Sequence, residues 1–128
     1  MKVLVTGGAG YIGSAVVERL LKQGHEPVVY DNLSKGHSAA VAPGAVFIQA
    51  DLQDSDLLIR SLEGHNIEAV IHMAADSLVG ESVSDPLKYF KNNTCGTASL
   101  LGAMLKVGVK KIVLSSTAAT YGAPETMP

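Results

Sequence analysis

Lys2-Val3-Leu4-Val5-Thr6-Gly7-Gly8-Ala9-Gly10-Tyr11-Ile12-Gly13 runs from a short apolar strand, through a glycine-rich turn, into a segment of helical period. Ile12, Val16, Val17, Leu20 and Leu21 share one face of a helix predicted from about Tyr11 to Gln23 and stopped by Gly24. A strand that bends sharply into a helix needs residues without a Cβ at the bend. The helix then presents its positive dipole end above the strand, where phosphate oxygens can approach backbone N–H groups closely. Two glycine registers fit the stretch, Gly8-x-Gly10-x-x-Gly13 and Gly7-x-x-Gly10-x-x-Gly13. In both, Gly13 lets the helix pack close on the strand.

Working outward, the same alternation continues. Pro27-Val28-Val29-Tyr30, Val46-Phe47-Ile48, Ala69-Val70-Ile71 and Lys111-Ile112-Val113-Leu114 are further short apolar runs. Their near-continuous apolarity suits strands buried on both faces of a parallel sheet. Between them, Leu52 to Leu62 reads as a helix with Asp51 or Asp54 as cap and Gly64 after its end. Pro86 opens a long helix ending near Gly108, with Leu87, Phe90, Ala98, Leu101 and Leu105 expected to face the core and Cys95 to be a small buried residue. Five strands alternating with helices predict an α/β fold, a Rossmann-like doubly wound parallel sheet of order 3-2-1-4-5. The polar, Gly/Ser-rich connection from Asp31 to Gly44 reads as a loop able to fold over a ligand.

Composition narrows the functional classes. A chain of 128 residues that is 47% hydrophobic and 17% charged is a folded domain or part of one, and intrinsic disorder is excluded. A net charge of −2 argues against nucleic acid or an anionic membrane as partner. One cysteine cannot build a disulfide framework, so the expected compartment is the reducing cytoplasm. No apolar stretch approaches the length of a membrane-spanning helix, and the run after Met1 is too short for a signal peptide. His25, His37, His65 and Cys95 lack metal-ligand spacing, so no metal is expected. His72, at a buried strand end, is expected to be a hydrogen-bonded core residue.

The ends of the strands carry the chemistry. Asp31 closes the second strand, eighteen positions after Gly13, where a carboxylate accepts hydrogen bonds from adenosine ribose hydroxyls. Its charge repels a 2′-phosphate and Ala9 offers no cation within the turn, which favours NAD over NADP. Lys35 is the nearby cation that weighs the other way. Asp51 follows the third strand, either to read the adenine edge, to cap the next helix, or both. Met73, Ala74 and Ala75 let a cofactor cross the carboxyl edge at the switch point between strands one and four. Glu81 either closes a loop beside the cofactor or only solvates it.

Gly7-x-x-Gly10-x-x-Gly13, Asp31-Asn32-Leu33, Asp51-Leu52, His72-Met73-Ala74-Ala75 and Ser115-Ser116-Thr117 resemble the extended short-chain dehydrogenase/reductases. Within that family, Val79-Gly80-Glu81-Ser82-Val83, Pro86 through Asn93 and Ser116 through Gly122 are similar to the nucleotide-sugar 4-epimerases. The resemblance covers essentially the whole chain. It implies that Tyr11 and Ile12 lie against the pyrophosphate, that Asp31 and Asn32 contact adenosine, and that Asp51 and Leu52 contact adenine. It further implies that Met73 to Ser77 line the nicotinamide-ribose half, with Asn92 nearby, and that Thr117 is the catalytic-site residue bonding the sugar hydroxyl that is oxidised. Some members carry lysine where this chain has Ser77, so any charge contact there is missing.

The implied cofactor is NAD and the implied substrate a UDP-hexose. The implied reaction is interconversion of UDP-glucose and UDP-galactose by hydride transfer at sugar C4 through a 4-keto intermediate, with the full-length protein a homodimer. The family's base is the tyrosine of a Tyr-x-x-x-Lys pair, and this chain has none. The fourth residues after Tyr11, Tyr30, Tyr89 and Tyr121 are Ala15, Ser34, Asn93 and Glu125. Residues 1–128 are therefore expected to be an incomplete NAD-binding Rossmann domain, cut on its C-terminal side, lacking the sugar-nucleotide domain and inactive alone. Two alternatives remain. One is another nucleotide-sugar enzyme of the family, a reductase or a dehydratase; the dehydratases carry Asp-Glu where Ala118-Ala119 stand here. The other is a non-catalytic dinucleotide-binding module.

Overall fold

The computed structural model describes residues 1–123 and 126. Five parallel strands, β1 (Lys2–Thr6), β2 (Glu26–Asp31), β3 (Val46–Gln49), β4 (Ala69–His72) and β5 (Ile112–Leu114), form one sheet in the order β3-β2-β1-β4-β5. The Rossmann-like order read from the sequence is the one observed. The chain reverses direction across the sheet between β3 and β4, which opens a crevice above the carboxyl ends of β1 and β4.

β1 sits centrally because both its faces are apolar. Leu4, Val28, Tyr30 and Val70 pack on α2 (Ser55–Gly64) and on α5 (Gly96–Val107), through Leu58, Leu62, Leu100 and Met104. Val3, Val5 and Val29 point the other way, onto Val17 of α1 (Tyr11–Lys22). Each fully buried leucine contributes about 1.5–3 kcal/mol by leaving water. Among the described residues, the edge strand β5 pairs only with β4, and it is exposed along its length.

Two helices differ from the expectation. α2 begins at Ser55, not Leu52, because the Asp54 carboxylate accepts the Leu57 N–H at 2.9 Å and so caps the helix. Asp51 accepts the Gln53 N–H at 2.9 Å, making a separate turn that keeps Leu52 out of the helix. Gly64 is the last helical residue, and the left-handed position falls two residues later at Asn66.

The long helix is continuous in space but composite: α4 (Pro86–Tyr89), a π-helical stretch (Phe90–Cys95) and α5, preceded by the short α3 (Val79–Ser84). The residues expected to face the core do not. Leu87, Phe90, Leu101 and Leu105 are exposed, Leu105 to 82%, and Ala98 and Cys95 are exposed too. The buried face is Gly96, Leu100, Ala103 and Met104. The wider π turn shifts the phase of the helix, and small Gly96, not Cys95, meets Leu52 where α5 approaches it. Because the helix is apolar on several sides, its periodicity could not select the buried one. Among the described residues, no helix is long and apolar enough to cross a membrane.

Candidate functional site

The glycine turn is shaped by contacts that no side chain could share. Gly7 has φ +72°, and a Cβ there would stand 2.7 Å from Ala74 N. A Cβ on Gly13 would overlap the Gly7 carbonyl oxygen. Gly10 has ordinary φ and only mild crowding, a Cβ meeting Gly7 O at 3.3 Å. The register Gly7-x-x-Gly10-x-x-Gly13 thus holds the strictest positions, and Gly8 packs against Val29 beneath. No side chain caps α1 at Gly10, so its N-terminus is left facing the crevice.

A groove runs along this carboxyl edge. Gly7, Gly10, Asp31, Asn32, Leu52, Met73, Ala74, Ala75 and Asn92, all singled out in the sequence, line it. Asp76, within the Met73–Ser77 stretch, lines it too, as do Ser34, Lys35 and Gly36 of the loop expected to fold over a ligand; Tyr30 and Ala50 are lining residues that the sequence does not single out. Gly36 could have been suspected from its place in a Gly/Ser-rich loop. A Cβ on it would lie 2.9 Å from Ala9, and the His37 N–H donates to Ala9 O at 3.0 Å, so the loop after β2 rests on the glycine turn.

Asp31 is buried to 8% exposure and both its oxygens are engaged. Oδ2 accepts the Ala9 N–H at 3.0 Å and Oδ1 the Leu33 N–H at 2.8 Å, the latter helped by Leu33's left-handed φ of 61°. The carboxylate therefore ties β2 to the glycine turn, and its remaining lone pairs are available to hydroxyl donors. Beyond it, Asn32 Nδ2 donates to Asp51 Oδ2 at 2.8 Å, and the Tyr30 hydroxyl donates to Asp51 O at 3.1 Å. Burial, then the charges of Asp54 and Asp51, push the Tyr30 phenol up to about 12, so it stays a neutral donor. Asp51 thus holds two residues that line the groove, Asn32 and Tyr30.

At the opposite end the wall is Met73 to Asp76. The Asp76 peptide is gripped at both sides by Asn93, whose Oδ1 accepts Asp76 N–H at 2.8 Å while Nδ2 donates to Asp76 O at 2.9 Å. His72 is the buried, hydrogen-bonded residue the sequence suggested, with Thr6 Oγ1 2.6 Å from Nδ1 and Thr97 Oγ1 2.9 Å from Nε2. Burial lowers its pKa.

The remaining expected residues lie outside the groove lining. Tyr11 and Ile12 project to solvent from the start of α1, Ser77 is exposed just past Asp76, and Thr117 is exposed beyond β5. Tyr121 is also exposed, and Glu125 lies outside the described residues. Glu81 does close a loop. It accepts from Lys88 Nζ at 2.6 Å and the Tyr89 hydroxyl at 2.8 Å, and pairs with Lys35 at 3.9 Å, which links α3 to the loop after β2. The Lys88 bond, then the Tyr89 bond, lowers the Glu81 pKa. Among the described residues, no three His, Cys, Asp or Glu side chains are grouped to hold a metal.

Relatives share this arrangement over the whole chain. UDP-glucose 4-epimerase of Halalkalibacterium halodurans is 54% identical over 128 residues, which are all of this chain and 38% of that protein. The Bacillus subtilis UDP-glucose 4-epimerase is 50% identical, with all of this chain matching 40% of it. The crystal structure of UDP-glucose 4-epimerase from Brucella ovis in complex with NAD superposes with a TM-score of 0.93 at 48% identity, over 99% of this chain and 39% of that one. The UDP-glucose 4-epimerase of Stenotrophomonas maltophila, solved with NAD and formylated UDP-arabinopyranose, gives 0.94 at 42% identity over all of this chain and 40% of the other. The chain thus spans about two fifths of the length of these relatives. The pattern of the NAD dependent epimerase/dehydratase family matches residues 3–128, and the chain belongs to that family.

Proposed function

We propose that residues 1–128 form the NAD-binding part of a UDP-sugar 4-epimerase, and that the whole protein interconverts UDP-glucose and UDP-galactose. The observation that carries this reading is the turn of Gly7, Gly10 and Gly13, tied by Asp31 to the end of β2 at the switch point of the sheet. NAD, when bound, supplies the hydride acceptor and donor for sugar C4. The chain's own residues do the rest of the cofactor's positioning. Backbone N–H groups at the start of α1 receive the pyrophosphate. Asp31 and Asn32 take the adenosine ribose, and Leu52 and Ala50 form the apolar floor beside it. Met73 to Ser77 and Asn92 flank the nicotinamide half. Thr117 holds the sugar hydroxyl in the substrate complex.

The proton step needs a base that this chain does not supply, since none of its four tyrosines has a lysine four residues on. The isolated chain is therefore inactive, and measurable conversion of UDP-galactose by it would overturn the reading. The exposed apolar face of Leu87, Phe90, Leu101 and Leu105 supports a homodimer through the long helix, and the single cysteine suits the reducing cytoplasm. Calorimetric titration with NAD and NADP tests the site directly. Binding of NAD well ahead of NADP is expected, and equal affinity would contradict the role given to Asp31.

A further inference from the structure

We infer that Asn93, with Thr97 behind it, is a positioning residue that sets the nicotinamide-side wall of the groove relative to the glycine turn. The inference rests on the dinucleotide reading above and goes beyond it, because Asn93 does not line the groove. It acts through Asp76, which does.

The grip on Asp76 uses both ends of the amide, acceptor on the N–H and donor to the carbonyl, so it fixes the orientation of that peptide as well as its distance. Asn92, a lining residue, donates its Nδ2 to the same Asn93 Oδ1 at 3.1 Å. Asn92 and Asn93 both sit in the π-helical stretch Phe90–Cys95, where the turn is widened. Behind them, Thr97 Oγ1 donates to Asn93 O at 2.6 Å. With that proton committed, the same oxygen accepts from His72 Nε2–H. Nδ1 of the neutral ring is left to accept from the Thr6 hydroxyl. Thr6 immediately precedes Gly7. A continuous set of hydrogen bonds therefore runs from the glycine turn, through β4, to the peptide at the far end of the groove.

The test compares NAD with ADP, which lacks the nicotinamide riboside. Titration calorimetry is run on the chain and on N93A, N93D and T97V, with circular dichroism to follow folding. N93D keeps the size of the side chain but cannot donate to Asp76 O. NAD affinity is expected to fall about tenfold in both Asn93 variants, with ADP affinity held within about twofold. T97V, which removes only the bridge, shows the same bias at smaller size and serves if the Asn93 variants do not fold. A ratio of NAD to ADP affinity that stays constant across the folded variants overturns the inference, whether both affinities hold or both fall. Failure of the unsubstituted chain to bind either ligand overturns the dinucleotide reading, and the positioning role with it.

Discussion

At the β2 side of the groove the backbone itself is the building material, whereas at the β4 side it is a set of side-chain hydrogen bonds. Gly7 and Gly13 hold the turn by the absence of atoms, and one carboxylate, Asp31, sews that turn to the neighbouring strand. Across the groove, the Met73–Asp76 wall shares that steric lock only at Met73–Ala74, whose backbone packs on Gly7. It is held by Met73 N–H to Thr6 O at 3.0 Å, and by Asn93, Thr97 and His72. A steric lock fails all at once when a methyl is added. A hydrogen-bonded wall weakens by steps, one group at a time.

The largest effect should come from Gly13→Ala. Its Cβ has only backbone to meet, so the helix must move off the turn. We expect a loss of about 3 kcal/mol or more in urea unfolding, and a loss below about 1 kcal/mol would show that the turn is not locked sterically. Asp31→Ala comes next. Leaving the Ala9 N–H unpaired in a buried place should cost about 1–3 kcal/mol, and the preference for NAD over NADP should shrink in parallel titrations.

The β4 side should answer to pH. Burial holds the His72 pKa below its ordinary 6.5 in the folded chain, so on acidification the unfolded chain takes up that proton first. Stability is then intact above about pH 6.5 and falls as the pH drops below it, by at most about 1.4 kcal/mol per unit from this one group, until the lower folded value is passed. Urea unfolding across pH should show that slope, and His72→Gln should flatten it. The smallest change belongs to neither wall: Asp54→Ala removes the α2 cap, costs about 1 kcal/mol, and should leave nucleotide titrations unchanged.

Much of this is legible in the sequence. Strand order followed from five apolar runs alternating with helices, because parallel strands joined by helical crossovers admit few connections, although β5 lies exposed where burial on both faces is expected. The glycine turn and Asp31 were legible because their chemistry is local, a bend without Cβ atoms and a carboxylate at a strand end. The long helix was misjudged where the local signal is ambiguous. Leu87, Phe90, Leu101 and Leu105 repeat at helical spacing as well as Leu100, Ala103 and Met104 do, and only packing against α2 chose between them. The bonds that Asp51 accepts from Asn32 and Tyr30 were not legible, because those partners are distant in sequence, whereas its turn with the Gln53 N–H is local.

The sequence alone determined the class of fold, the glycine turn, the acidic residue that ends β2 and the lack of a Tyr-x-x-x-Lys pair, since each depends on residue type at short range. Tertiary structure decided which glycine register bears the constraint and which face of the long helix is buried. It also decided that Asp31 is a brace as well as a candidate ligand contact, and that Asn93 grips Asp76 from outside the groove. Those outcomes depend on which atoms arrive within about 3 Å of one another from strands and helices distant in the chain, and hydrogen bonds and steric overlap act only at that range.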